Sequence, residues 1–171
     1  DGIFYREKDQ GTKRPAAESI LATKIFESDF EPESNWGPQG INTEKAFSGT
    51  QSTFVNQNNK YGSTVGIPLK ELGPIGTKQL HITAMVWSDY AFPSLTFGYS
   101  YRSETQDYGH DYISIGQFVS KSSEWVKVEQ IATLSQARDS IGTWVVYPVF
   151  AGEEGKVYLD DIRYEVITLK E

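Results

Sequence analysis

A chain of 171 residues is long enough for one domain with a substantial core. Its net charge of −7, with no local cluster of Lys or Arg, argues against a nucleic-acid surface, and its longest apolar runs are far shorter than a membrane span. Cysteine is absent, which removes disulfides and cysteine metal sites.

Residues 1–18, DGIFYREKDQGTKRPAAE, mix charges without a sustained apolar period and read as a linker or N-terminal arm. Ile3, Phe4 and Tyr5 are its candidate anchor, and deleting the arm is expected to shift the melting temperature little. Residues 19–171 then read as one domain of strands, at about 19–30, 46–56, 63–72, 78–89, 94–103, 112–119, 125–134, 141–150 and 157–168. Val, Ile, Thr, Tyr, Phe and Trp dominate these runs, and Gly, Pro, Asn, Asp and Ser fill the gaps. LHITAMVW (80–87) and LTFGYSYR (95–102) alternate well, and no stretch carries helical periodicity over a dozen residues; SQARDS (135–140) has room for one turn. Short strands at this spacing predict an all-β, two-sheet antiparallel β-sandwich of the jelly-roll type, with no repeat and no second domain.

Catalytic patterns are scarce. The chain has two histidines, His81 and His110, and no HExxH spacing, GxSxG elbow, P-loop or dinucleotide fingerprint. His81 reads as a surface-facing strand residue, and His110 as part of a solvated hairpin tip, SETQDYGHDY. A glycosidase needs two carboxylates facing each other about 5–9.5 Å apart. Glu124 and Glu129 have the wrong parity to share a strand face, and Asp160 with Ile162 offers one acid. A lyase site could be assembled from Tyr101, Arg102 and His110, but with ten tyrosines in the chain that coincidence is cheap. The chain is read as no enzyme.

One stretch, KVYLDDIRYEV (156–166), sets a problem: two adjacent aspartates interrupt a strand-forming run. Alternation sends one to each side, and places Asp160 on the face of Tyr158 and Ile162. A carboxylate on a buried face is costly unless it is paired or bound to a metal.

Four short motifs, in order, resemble carbohydrate-binding modules of families four, nine and twenty-two. SDFEPESNW (28–36) is similar to their first strand, and KAFSGTQSTFV (45–55) to their Ser-Gly signature. SSEWVKVE (122–129) matches a late Trp-Val-Lys strand, and VYLDDIRY (157–164) resembles their closing strand. The chain departs from the pattern at Glu27-Ser28-Asp29, where Asn-Pro-Gly is frequent, and at Pro32, where Gly often follows the Glu. The resemblance implies a galactose-binding-domain-like jelly roll, with Trp36 and Trp125 in its core. It also implies a structural calcium tying the first strand to the last, held by the carboxylates of Glu31 and Asp160 and by carbonyls near Asp29 and Thr50. Without a metal, Asp160 would instead accept hydrogen bonds from a neighbouring loop.

Sugars are held by aromatic rings against their C–H faces, and by amides, acids and Arg at their hydroxyls. On the strand 80–90, Leu80, Ile82, Ala84 and Val86 form a core face, so His81, Thr83, Met85 and Trp87 point the other way. Trp87 is the expected platform. Tyr99 and Tyr101 share a face with Leu95 and Phe97, while Arg102 points oppositely; Trp144 and Tyr147 oppose each other, so one of the two lines a groove. The candidate sugar contacts are therefore Trp87, His81, Met85, Tyr101, Arg102, Trp144 and Tyr147, with the amides Gln117 and Gln130 as hydroxyl partners. The function expected is a non-catalytic carbohydrate-binding module of an exported or cell-surface protein, flanked by other domains. Its rivals are a structural or protein–protein interaction sandwich without sugar affinity, and a jelly-roll lyase or hydrolase.

Overall fold

The computed structural model describes residues 13–102, 107–134 and 142–171. Among them run ten strands: β1 (Ile20–Ser28), β2 (Ile41–Asn42), β3 (Ser52–Asn56), β4 (Val65–Pro68), β5 (Lys78–Ser88), β6 (Leu95–Arg102), β7 (Asp107–Ser114), β8 (Trp125–Thr133), β9 (Thr143–Phe150) and β10 (Lys156–Leu169). They form a six-stranded sheet ordered β2-β3-β10-β5-β8, with β1 also on β10, and a four-stranded sheet ordered β4-β9-β6-β7. Every pairing is antiparallel. The fold is the all-β sandwich that the strand pattern predicts.

The core follows from alternation. Leu80, Ile82, Ala84 and Val86 of β5 face Leu95, Phe97, Tyr99 and Tyr101 of β6, and all are buried. Aromatic edges lock the two layers: Tyr164 of β10 meets Trp144 at 6.2 Å and Phe97 at 5.7 Å between ring centroids. Trp36, from the loop after β1, stacks flat on Tyr164 at 5.3 Å and packs against this core.

β10 breaks the alternation at the two aspartates. Asp160 pairs with Met85 of β5 and Arg163 with Thr83, so Asp161 and Ile162 together oppose Ala84. This is a β-bulge, and Asp161 takes a positive φ of 46° to make it. The extra residue shifts the parity. Leu159 and Ile162 both face the core, and Asp160 lies on the outward side with Tyr158 instead of sharing a face with Ile162. The bulge also marks a change of neighbour. Up to Leu159, β10 pairs with β3; from Ile162 onward the same edge pairs with β1. On that edge the interval has no strand partner, and the loop carrying Phe47 and Ser48 reaches it instead.

Other boundaries differ from the sequence reading. Residues 46–51 are loop and turn rather than the start of a strand, because Ser48-Gly49 fold back toward β10. The short β2 falls outside every expected strand. β7 begins at Asp107, so His110 is a strand residue and not a hairpin tip, and Gln117 sits in the 3-10 turn Gly116–Phe118 that follows. The anchor Ile3-Phe4-Tyr5 and the turn at 135–140 lie outside the described residues. The end of the arm is docked: Arg14 makes a two-pronged ion pair with Glu165, at 2.7 and 2.6 Å, and the Lys170 amide donates to the Ser19 carbonyl.

Candidate functional site

The outward face of the six-stranded sheet carries an aromatic row. Phe54, Tyr158, Trp87 and Trp125 are direct cross-strand partners on β3, β10, β5 and β8. Trp125 therefore belongs to this face and not to the core, because it pairs with outward-pointing Trp87. The row is already occupied. The loop between β2 and β3 lays the Lys45 ammonium 4.2 Å from the Trp87 ring centre and sets Phe47 edge-on to Trp125 at 5.8 Å. Lys156 covers Phe54 at 4.1 Å, and Glu44 bonds both Lys156 and the Tyr158 hydroxyl. Further along the same face, His81 stands 3.4 Å from Glu165 and 3.6 Å from Glu129. A cleft of about 620 Å³ beside the bulge, around Glu27, Asp29, Asp161 and Arg163, has no aromatic residue in its lining and so offers no stacking surface.

The outward face of the four-stranded sheet is built differently. Gly98 lies between Tyr147 of β9 and Tyr112 of β7, its direct partners. A β-carbon there would stand 2.8 Å from the Tyr147 ring and 3.2 Å from that of Tyr112, so glycine is what lets the two rings lean over the sheet. Tyr61, bridged to Val149 at the edge, meets Tyr147 edge-on at 5.6 Å and is 55% exposed. The Tyr147 hydroxyl lies 3.3 Å from Nδ1 of exposed His110, and Arg102 extends from the same face, beyond Ser100. Aromatic rings and polar side chains thus share one surface.

The expected sugar contacts are divided by the fold. Trp87, His81 and Met85 are on one outward face, and Arg102 and Tyr147 on the opposite one. Tyr101 and Trp144 belong to neither. Tyr101 is 6% exposed and Trp144 0%, because both point between the sheets, where Trp144 packs on Tyr99 and Tyr164. The Tyr101 hydroxyl is pushed well above its usual range by burial. Gln117 is held in its turn, and Gln130 faces inward on β8 opposite Ile82. Tyr61 and Tyr112 are not among the contacts that the sequence pattern suggests. A tyrosine beside glycine in KYGS carries no strand pattern, and only the bridge to Val149 brings Tyr61 to the face.

Glu31, Thr50 and Asp160 do converge on one loop, but as hydrogen-bond partners. The Glu31 carboxylate accepts the amides of Thr50 (2.6 Å) and Gln51 (2.9 Å) and the Thr50 hydroxyl (2.9 Å). These amides hold it below the usual carboxylate range. Asp160, 0% exposed, accepts the amides of Phe47 (2.7 Å), Ser48 (3.1 Å) and Asp161 (2.8 Å). Burial still pushes its carboxyl up to about 6, against the pull of those three donors. Asp29 is exposed, and its Oδ1 accepts the Glu31 amide at 3.2 Å. A hard cation requires about 6–8 oxygen ligands. Here N–H groups point at both carboxylates, so the donor set does not fit calcium.

No protein-family model matches the chain, and no curated protein matches it. Solved structures do. The chain is similar to the CBM22-2 xylan-binding domain of Paenibacillus barcinonensis Xyn10C, with a TM-score of 0.56 and 14% identity over 84% of this chain and 98% of that one. It is also similar to the C-terminal family 22 carbohydrate binding module of Clostridium thermocellum Xyn10B, with a TM-score of 0.51 and 18% identity over 91% and 97%. The chain has the fold of carbohydrate-binding modules. A tandem CBM22-1–CBM22-2 structure from Xyn10C matches with a TM-score of 0.54 and 14% identity, covering 86% of this chain and 47% of the tandem. In that protein two such modules are joined in one chain.

Proposed function

We propose that this chain is a non-catalytic carbohydrate-binding module of an exported or surface-displayed multidomain protein, and that it holds a polysaccharide on the outward face of the four-stranded sheet. The observation that carries the reading is Tyr61, 55% exposed and braced edge-on by Tyr147 above the Gly98 floor. An exposed ring held in place by another offers its face to a sugar ring at little entropic cost. His110 and Arg102 supply polar groups for hydroxyls beside it. The opposite face is disfavoured because Lys45 and Phe47 already take the contacts that a sugar would make with Trp87 and Trp125.

Titration against a panel of soluble polysaccharides tests the reading, starting with xylan, the ligand named for the similar Xyn10C module. Tyr61→Ala is expected to weaken binding at least tenfold while leaving the melting temperature unchanged. Loss of one stacking contact of about 1.4 kcal/mol corresponds to that factor. Binding to no polysaccharide would favour a structural or protein–protein interaction sandwich, and turnover of any polysaccharide would overturn the non-catalytic reading.

A further inference from the structure

We propose that this chain fastens its β2–β3 loop to the first and last strands by an amide–carboxylate clasp, in the place where its sequence resemblance implies a calcium ion. Six hydrogen bonds make the clasp. Glu31, just after β1, takes three donors from Thr50 and Gln51. Asp160, in β10, takes the amides of Phe47 and Ser48 from the other end of the same loop, and the amide of Asp161 from its own strand. The Ser48 hydroxyl adds a bond to Asp161 at 2.6 Å.

The donor chemistry separates this arrangement from a metal site. A cation would need carbonyl oxygens turned inward, whereas five backbone N–H groups are turned onto the two carboxylates. Gly49 makes the close approach possible. Its φ is 58°, and a β-carbon there would lie 2.2 Å from Glu31 Oε1, the oxygen that accepts both amides. The place is also where one edge of β10 has no neighbouring strand, between its pairing with β3 and its pairing with β1, while the other edge stays on β5. Loop amides reach that edge through the Asp160 side chain instead of through a backbone ladder. The clasp has a second effect, because the loop it holds is the one that lays Lys45 on Trp87 and Phe47 on Trp125.

The decisive measurement is made on the unaltered chain, purified in buffer containing calcium chloride and then desalted. Elemental analysis is expected to find no retained calcium, and the melting temperature is expected to agree within about 1 °C between excess EDTA and excess calcium chloride. Stoichiometric calcium, with a melting point lowered by roughly 5–10 °C in EDTA, would overturn the proposal. Gly49→Ala and Glu31→Gln report on the clasp itself. Each is expected to melt lower, without rescue by calcium, and to make tryptophan fluorescence more open to acrylamide quenching as Lys45 and Phe47 lift from the row. Quenching and melting identical to the parent, or rescue by calcium, would refute it. If neither variant folds, the metal content and EDTA response of the unaltered chain still decide.

Discussion

Replacing Arg14 by alanine removes the bidentate contact that holds the segment before β1 against the six-stranded sheet. The guanidinium reaches Glu165 at 2.7 and 2.6 Å, and Glu165 is only 3% exposed. Removing one partner of a buried ion pair costs about 3–5 kcal/mol, because the other charge is stranded. That figure is an upper bound here. Arg14 is itself half-exposed, and Arg163 remains 3.5 Å from the same carboxylate with His81 at 3.4 Å. A cost of about 1–2 kcal/mol follows, which for a domain of this size lowers the melting temperature by roughly 2–8 °C. The Arg14 hydrogen bonds hold Glu165 below the usual carboxylate range, against the opposing effect of burial. Its folded pKa therefore lies below its unfolded value. The stabilisation is complete above the unfolded value of about 4.3 and disappears as pH falls through the folded one. Thermal melts of both proteins between neutral and strongly acidic pH should show a gap that is full at neutrality and closes in acid. Equal melting points at neutral pH, or a gap that persists unchanged into acid, would refute the argument. Deletion of residues 1–18 should cost at least as much, and not the small shift that the charge pattern of the arm implies, since it removes Arg14 together with the Glu18 carbonyl that accepts Lys170.

Three further outcomes follow from the two faces. Gly98→Ala should weaken polysaccharide binding by pushing Tyr147 aside, with little effect on melting; affinity equal to the parent's in titration calorimetry would remove that face from consideration. Trp144→Ala should destabilise the fold by about 3–5 kcal/mol in denaturant titration, because the ring is fully buried between the sheets; a cost under 1 kcal/mol would contradict its place in the core. Trp87→Ala should leave sugar affinity unchanged while lowering stability modestly through loss of its contacts to Lys45 and Tyr158. A large loss of affinity in that variant would return the site to the six-stranded sheet.

The sequence by itself determined the layer architecture, because burial on one face of a strand has a period of two and that period is written in the residues. The inward row Leu80-Ile82-Ala84-Val86 is legible without coordinates, as are the shared face of Leu95, Phe97, Tyr99 and Tyr101 and the opposed directions of Trp144 and Tyr147, though not that the Tyr101 face is the inward one. Alternation says which residues lie on opposite sides; it does not say which side is the core. That choice depends on the partner sheet, and it put Trp144 inside and Tyr147 outside. Nor does alternation survive an inserted residue. The bulge at Asp161 moved Asp160 away from Ile162's face, and nothing in two adjacent aspartates distinguishes a bulge from a regular strand. The site was hidden for a related reason. Tyr61, Gly98 and Tyr112 come from three separate parts of the chain, and their juxtaposition exists only through cross-strand pairing. The carboxylates show the same limit. The family resemblance implies that Glu31 and Asp160 meet, but the loop that joins them and the direction in which its peptide groups point are tertiary properties, and that direction decides between N–H donors and metal-binding carbonyls.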